Sequence, residues 1–190
     1  MTTAEDVTLN GMTDATESEA LPDLTELADE PGGAWKPGWY AATIIEGYAT
    51  PKGKQFATED VVSQKGDSRN LRLCVSVHNG ADSRNVQEVF NYRPSDLTPE
   101  RLAYIKEARA ENKGVQGRWT DTDAQRSSLA IGKLGQITKA VGFGFKRAGS
   151  TIITAPLVSQ NIDVRVAIDE NGYNVITGFA PAGTKAPKRA

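Results

Sequence analysis

Lys52 and Lys54 flank Gly53 in a run that also holds Tyr48 and Phe56, and Phe143 and Phe145 lead directly into Lys146 and Arg147. Between them, Arg69 and Arg72 flank an alternating stretch, and Phe90 and Tyr92 precede Arg93. A sequence-tolerant binder of single-stranded nucleic acid needs these two kinds of side chain: cations that track phosphates, and ring faces on which bases stack. On type and spacing, Lys52, Lys54, Arg69, Arg72 and Arg93 are expected to hold phosphates, and Tyr48, Tyr92 and Phe143 to stack bases. Lys146 and Arg147 form a further basic pair beside Phe143. Each also has a plainer role open to it. Phe90 and Trp39 suit a core as well as a platform, and lysines protect sheet edges. The weight lies on the ensemble, not on any single residue.

Catalytic chemistry has little to work with. His78 is the single histidine, at the end of a strand-like run. Cys74 is the single cysteine, so no internal disulfide forms, and its place between Leu73 and Val75 reads as a reduced structural thiol. No G-x-x-x-x-G-K-[ST] phosphate loop is present, and Gly142-Phe143-Gly144 follows a helix rather than a strand. The carboxylate pairs Asp121/Asp123 and Asp169/Glu170 fall in predicted loops, and Asp163 is the one acid in a suggestive place on a strand. A two-metal nuclease needs several acids converging from strand ends. A non-enzymatic protein without metal or cofactor is therefore expected.

Charge is segregated along the chain. Residues 1–33 hold nine acids and no Lys or Arg, whereas the remainder holds 15 acids and all 22 bases, for a formal total of −2. A basic body attracts polyanions. An acidic leader beside it can compete for that surface, recruit a basic partner, or serve only solubility. On the competing reading, removing 1–33 tightens binding.

Three segments follow from composition: an acidic arm over 1–33, expected to be disordered in isolation, one domain over 34–181, and a basic, frayed tail over 182–190. Within the arm, Leu21, Leu24 and Leu27 stand at i, i+3, i+6 among acids, either a short docking helix or incidental leucines in a linker. No stretch is long and apolar enough for a membrane span, and the N-terminus does not read as a signal peptide. In the body, Trp39 to Ile45 reads as a first strand, Thr50 to Lys54 as a basic loop, and Phe56 to Val62 as a weaker strand. Leu71, Leu73, Val75 and Val77 alternate with Arg72, Cys74, Ser76 and His78, the clearest period of two in the chain. Asn79-Gly80 marks a hairpin, and Val86 to Tyr92 completes a meander. Thr98-Pro99-Glu100 caps a first helix carrying Leu102, Ile105 and Ala108. A second runs from about Ala124 to Val141 with Ala130, Leu134, Ile137 and Val141 on one face, stopped by Gly142. Ile162 to Ile168 and Tyr173 to Phe179 form a closing hairpin. The expected fold is α+β: an antiparallel sheet or OB-like barrel with a two-helix insertion.

Pro37-Gly38-Trp39-Tyr40 opening a strand, the basic turn at 52–54, Phe90-Asn91-Tyr92, the helix ending KAVGFG and the closing IDVRVAIDENGYNVITGFAP together resemble a family of small tailed-phage proteins. These lie among replication and recombination genes and are classed as single-stranded-DNA-binding proteins. The resemblance spans roughly residues 36–181. It implies DNA handling in the cytoplasm of an infected bacterial cell. The family's bacterial counterparts carry their acidic tail at the C-terminus, whereas here the C-terminus is basic. The expected function is non-catalytic binding of single-stranded DNA in replication or recombination. A homo-oligomer is expected, and phage or host replication or recombination proteins are expected partners of residues 1–33. The alternative is a virion protein, a capsid decoration or head–tail component, whose arm laces to neighbours. Co-sedimentation with virions separates the two. A third reading is an inhibitor that mimics DNA through the acidic arm.

Overall fold

The computed structural model describes residues 34–64, 66–112 and 118–186. The acidic arm with its leucine stripe lies outside them, as do Lys65, the stretch 113–117 and residues 187–190.

The alternating stretch around Leu71 becomes the centre of the sheet. β5 (Arg69–Asn79) buries Leu71, Leu73, Val75 and Val77 on one face, because the pleat sends successive side chains to opposite sides. Burial of each such side chain contributes about 1.5–3 kcal/mol. Gly80, at φ 63°, turns the chain, since the tight hairpin needs a left-handed residue. β6 (Asp82–Tyr92) then returns antiparallel along the whole of β5, with Asn79 opposite Asp82 and Arg69 opposite Tyr92. The other edge of β5 is shared. β1 (Gly38–Ile45) pairs with Cys74 to His78, and β4 (Glu59–Val62) with Arg69 to Arg72. The hairpin of β9 (Asn161–Ile168) and β10 (Asn174–Pro181) joins through β9, which lies antiparallel to β1. The main sheet therefore runs β10-β9-β1-β5, with β6 beyond.

The sheet curls until β6 and β10 approach, and side chains bridge the gap. Glu88 Oε1 accepts the Ile176 N–H at 2.9 Å, Arg84 donates to Asn174 Oδ1 at 3.3 Å, and Phe90 meets Phe179 edge-on at 5.8 Å. Burial pushes the Glu88 carboxyl above the ordinary glutamate range, with the Ile176 N–H and the Lys133 ammonium opposing the shift. The connection between β6 and β9 carries two helices. α1 (Pro99–Glu111) is capped by Thr98, whose hydroxyl accepts the Arg101 N–H at 3.3 Å. α2 (Thr122–Val141) is capped by Asp121, which accepts the N–H groups of Asp123 and Ala124 at 2.9 and 3.1 Å. It ends at Gly142, φ 81°, as a left-handed terminator. α2 packs along β10 and β6, burying Leu134, Ile137 and Ala140 in the single core, and α1 lies on α2. The result is an OB-like α+β fold: an antiparallel half-barrel with two helices inserted between its third and fourth main strands, as the residue pattern anticipates.

Three details differ from the expectation. The weak strand over 56–62 breaks at Thr58, giving β3 (Gln55–Ala57), which pairs with β2 (Gly47–Ala49), and the separate β4. A further small hairpin, β7 (Arg147–Ala148) with β8 (Thr151–Ile152), follows the helices. The segment after β10 is held rather than frayed. Asp163, fully buried, accepts the N–H groups of Gly183, Lys185 and Ala186 at 3.0, 2.7 and 2.8 Å. A buried carboxylate needs such donors, and the short apolar-poor segment 183–186 supplies them from its backbone.

Candidate nucleic-acid interface

Gly47 begins a finger that carries the first aromatic–basic group. A Cβ at Gly47 would lie 2.3 Å from the Phe56 carbonyl oxygen, so only glycine lets β2 and β3 come this close. Across the finger Tyr48 stacks on Phe56, with centroids 4.9 Å apart and planes 21° from parallel. The Lys54 ammonium lies 4.7 Å from the Phe56 centroid, within the range of a cation–π contact. The tip is a tight turn. Gly53 N–H donates to the Thr50 carbonyl at 2.8 Å, and the Lys54 N–H to Thr50 Oγ1 at 3.1 Å. Lys52 and Lys54 are exposed, and Tyr48 and Phe56 are half-buried.

Thr58 fastens the finger to the barrel. Its hydroxyl donates to the Ile45 carbonyl at 2.6 Å and accepts the Cys74 N–H at 2.9 Å. Gln87 donates to the Ala57 carbonyl at 3.1 Å. The finger thus leans over the outer face of β5, covering Cys74. Burial lifts the Cys74 thiol above its usual range, consistent with an inert side chain. Burial also lifts the Tyr48 phenol, with a smaller push from Cys74.

The hairpin of β7 and β8 carries the second basic pair and is tied to the same stretch. Asp60 Oδ2 accepts the Ile152 N–H, and Thr154 donates to the Thr58 carbonyl at 3.3 Å. Lys146 and Arg147 are exposed on it. Tyr48, Lys52, Lys54, Lys146 and Arg147, distant in sequence, are therefore carried by two hairpins fastened to one short segment, Thr58 to Asp60. Phe143 stands just before this hairpin, half-buried and packed against the core.

The other expected contacts are drawn elsewhere. Arg69 points inward: its side chain is 11 % exposed, with Nε 3.0 Å from Asp60 Oδ2 and Nη2 2.9 Å from the Asp60 carbonyl. Tyr92 is 2 % exposed and donates to Asp60 Oδ2 at 2.7 Å. Burial, reinforced by the Asp60 carboxylate, pushes its phenol well above the ordinary tyrosine range. The Tyr92 ring is thus covered, and the Arg69 guanidinium is spent on Asp60. Both belong to an internal Asp60–Arg69–Tyr92 network, where a buried charge demands partners. Arg93 is likewise committed to acids. It meets Asp96 at 2.9 and 3.1 Å, Asp123 at 2.8 Å and Ser127 at 2.7 Å. Arg101 joins this network through Asp96 at 3.3 Å and Asp123 at 2.6 Å. The cluster binds the segment after β6 to both helices. Arg72 faces outward beside β4 but pairs with Glu59 at 2.7 Å. These four pairings share one cause. An arginine or tyrosine in a curled sheet serves whichever acid the fold brings opposite, and Asp60, Glu59, Asp96 and Asp123 are each close to the expected cations.

Among the described residues no helix is long and apolar enough to cross a membrane, and no group of three or more metal-ligating side chains converges. No protein-family model matches the chain, and no curated protein matches it either.

Proposed function

We propose that this chain is a non-catalytic single-stranded-DNA-binding protein of phage type, acting in replication or recombination in the cytoplasm of an infected bacterial cell. The supporting observation is the finger, where Tyr48, Phe56, Lys52 and Lys54 put stacked rings and exposed cations at one tip. It fills the connection between the first two main strands of an OB-like barrel, and such connections carry oligonucleotide contacts in that architecture. The Lys146–Arg147 hairpin, fastened to the same segment, adds a second pair of cations for a strand to follow. The interface is narrower than type and spacing imply. Tyr48, Phe56, Lys52, Lys54, Lys146 and Arg147 make it, and the buried Arg69 and Tyr92 stand behind it as support.

The test is direct binding of a fluorescent dT oligomer, measured by anisotropy on the full-length protein and on a Tyr48→Ala variant. Loss of one stacking ring weakens binding by about 1–3 kcal/mol. Failure of the wild-type protein to bind the oligomer at low salt would overturn the reading.

A further inference from the structure

α2 keeps two glycines in its interior, each costing about 1 kcal/mol of helix propensity relative to alanine. Neither Gly132 nor Gly135 has positive φ, and a methyl group at either would meet nothing within 4 Å. They line a cleft of about 390 Å³ between α1 and α2, walled by Leu102, Ile105 and Ile131. Lys106, Arg109 and Lys139 stand around its mouth, all exposed, and none has a side-chain bond or ion pair to another described residue. On α1, residues 102, 105, 106 and 109 share one face by helical spacing, while Glu100, Glu107 and Glu111 lie on another. The cleft therefore has an apolar floor and a rim of one sign.

We propose that this cleft docks an acidic polypeptide segment whose leucines recur at helical spacing. Three unopposed cations select an anionic occupant, and the aliphatic floor selects one with apolar side chains. A nucleic-acid strand satisfies the rim but not the floor, because the cleft offers no ring for a base to stack on. An amphipathic segment lays its apolar side chains into such a groove and its acids against the rim. The chain encodes a segment of this chemistry: Leu21, Leu24 and Leu27 among Glu17, Glu19, Asp23, Glu26, Asp29 and Glu30. The inference stands apart from DNA binding, since the cleft lies on the helices and the DNA-contacting residues on the hairpins.

The probe is a fluorescein-labelled synthetic peptide of residues 17–30, titrated into the full-length protein. That protein carries Leu21→Ser, Leu24→Ser and Leu27→Ser so that its own copy of the sequence does not compete. Saturable binding is expected. It should fall at least about tenfold in the background of Lys106→Glu, Arg109→Glu and Lys139→Glu. Gly135→Leu, which fills the cleft with a better helix former, should weaken it as well, and dT-oligomer affinity should hold in both variants. A peptide with serines for its three leucines should bind at least about tenfold more weakly. No saturable binding, equal binding to the charge-reversed protein, or equal binding of the serine peptide would each overturn the proposal. So would charge reversal that abolished oligomer binding and spared the peptide, which would make the cleft a nucleic-acid surface. The charge reversals are on exposed side chains, so they decide the matter even if Gly135→Leu fails to fold.

Discussion

On the proposed function, the number of cations that meet DNA can be read from salt dependence, and the ion pairs predict a low number. Of the seven cations expected from spacing, Arg69, Arg72 and Arg93 are ion-paired with Asp60, Glu59, and Asp96 with Asp123. Lys52, Lys54, Lys146 and Arg147 remain exposed. Each phosphate neutralised on a single strand contributes about −0.7 to the slope of log K against log salt, so four cations give about −2.8. Raising salt from about 50 to about 200 mM should then weaken binding about 50-fold. All seven would give a slope of about −4.9 and a loss of about 900-fold. Lys52→Ala with Lys54→Ala should reduce the slope to about −1.4 and the loss to about 7-fold. The assay is anisotropy of a labelled dT oligomer across a salt series on wild type and double variant. A wild-type slope steeper than about −4 would mean that the acid-paired arginines reach phosphates after all, and a double variant with an unchanged slope would remove the finger from the interface.

Three further outcomes follow from the packing. Gly47→Ala forces a Cβ against the Phe56 carbonyl, 2.3 Å away; oligomer binding should drop while the far-UV circular dichroism of the barrel persists, and full affinity would show that the finger is not needed. Tyr92→Phe removes a donor to the buried Asp60 carboxylate and should cost about 1–3 kcal/mol of stability, read in urea, with oligomer binding unchanged; lost binding at unchanged stability would restore Tyr92 as a platform. The Asp163 carboxyl is held below the ordinary aspartate range: burial alone would raise it, and the N–H groups of Ala186, Lys185, Gly183 and Thr184 outweigh that. Its stabilisation is therefore present above the unfolded value of about 3.9 and is lost as pH falls through the lower folded value. Asp163→Asn should unfold at lower urea than wild type at neutral pH, and the gap should narrow in acid; a constant gap across that range would contradict the assignment.

Periodicity and punctuation determined the local elements. The alternation from Leu71 to Val77 specified a strand with one buried face, since a pleat repeats every two residues. Gly80 and Gly142 specified where chain segments end, because few other residues tolerate positive φ. Thr98 and Pro99 specified a helix start through the hydrogen bond a hydroxyl can make and the one a proline cannot. The grouping of Tyr48, Lys52, Lys54 and Phe56 was legible because they are close in sequence and joined by a single turn, whereas the pairing of β2 with β3 and the break at Thr58 were not. Contacts between distant segments were not written in any local pattern. Whether Arg69 faced solvent or Asp60, and whether Arg93 was open or held by Asp96 and Asp123, depended on strand register and on where α2 came to rest. Register in turn is set by burial of the opposite face across the whole sheet, so a cation's partner is decided by hydrophobic packing far from it. The same holds for the meeting of the two basic hairpins at Thr58 and Asp60. Composition could count the cations; only the curl of the sheet decided which of them stand opposite an acid.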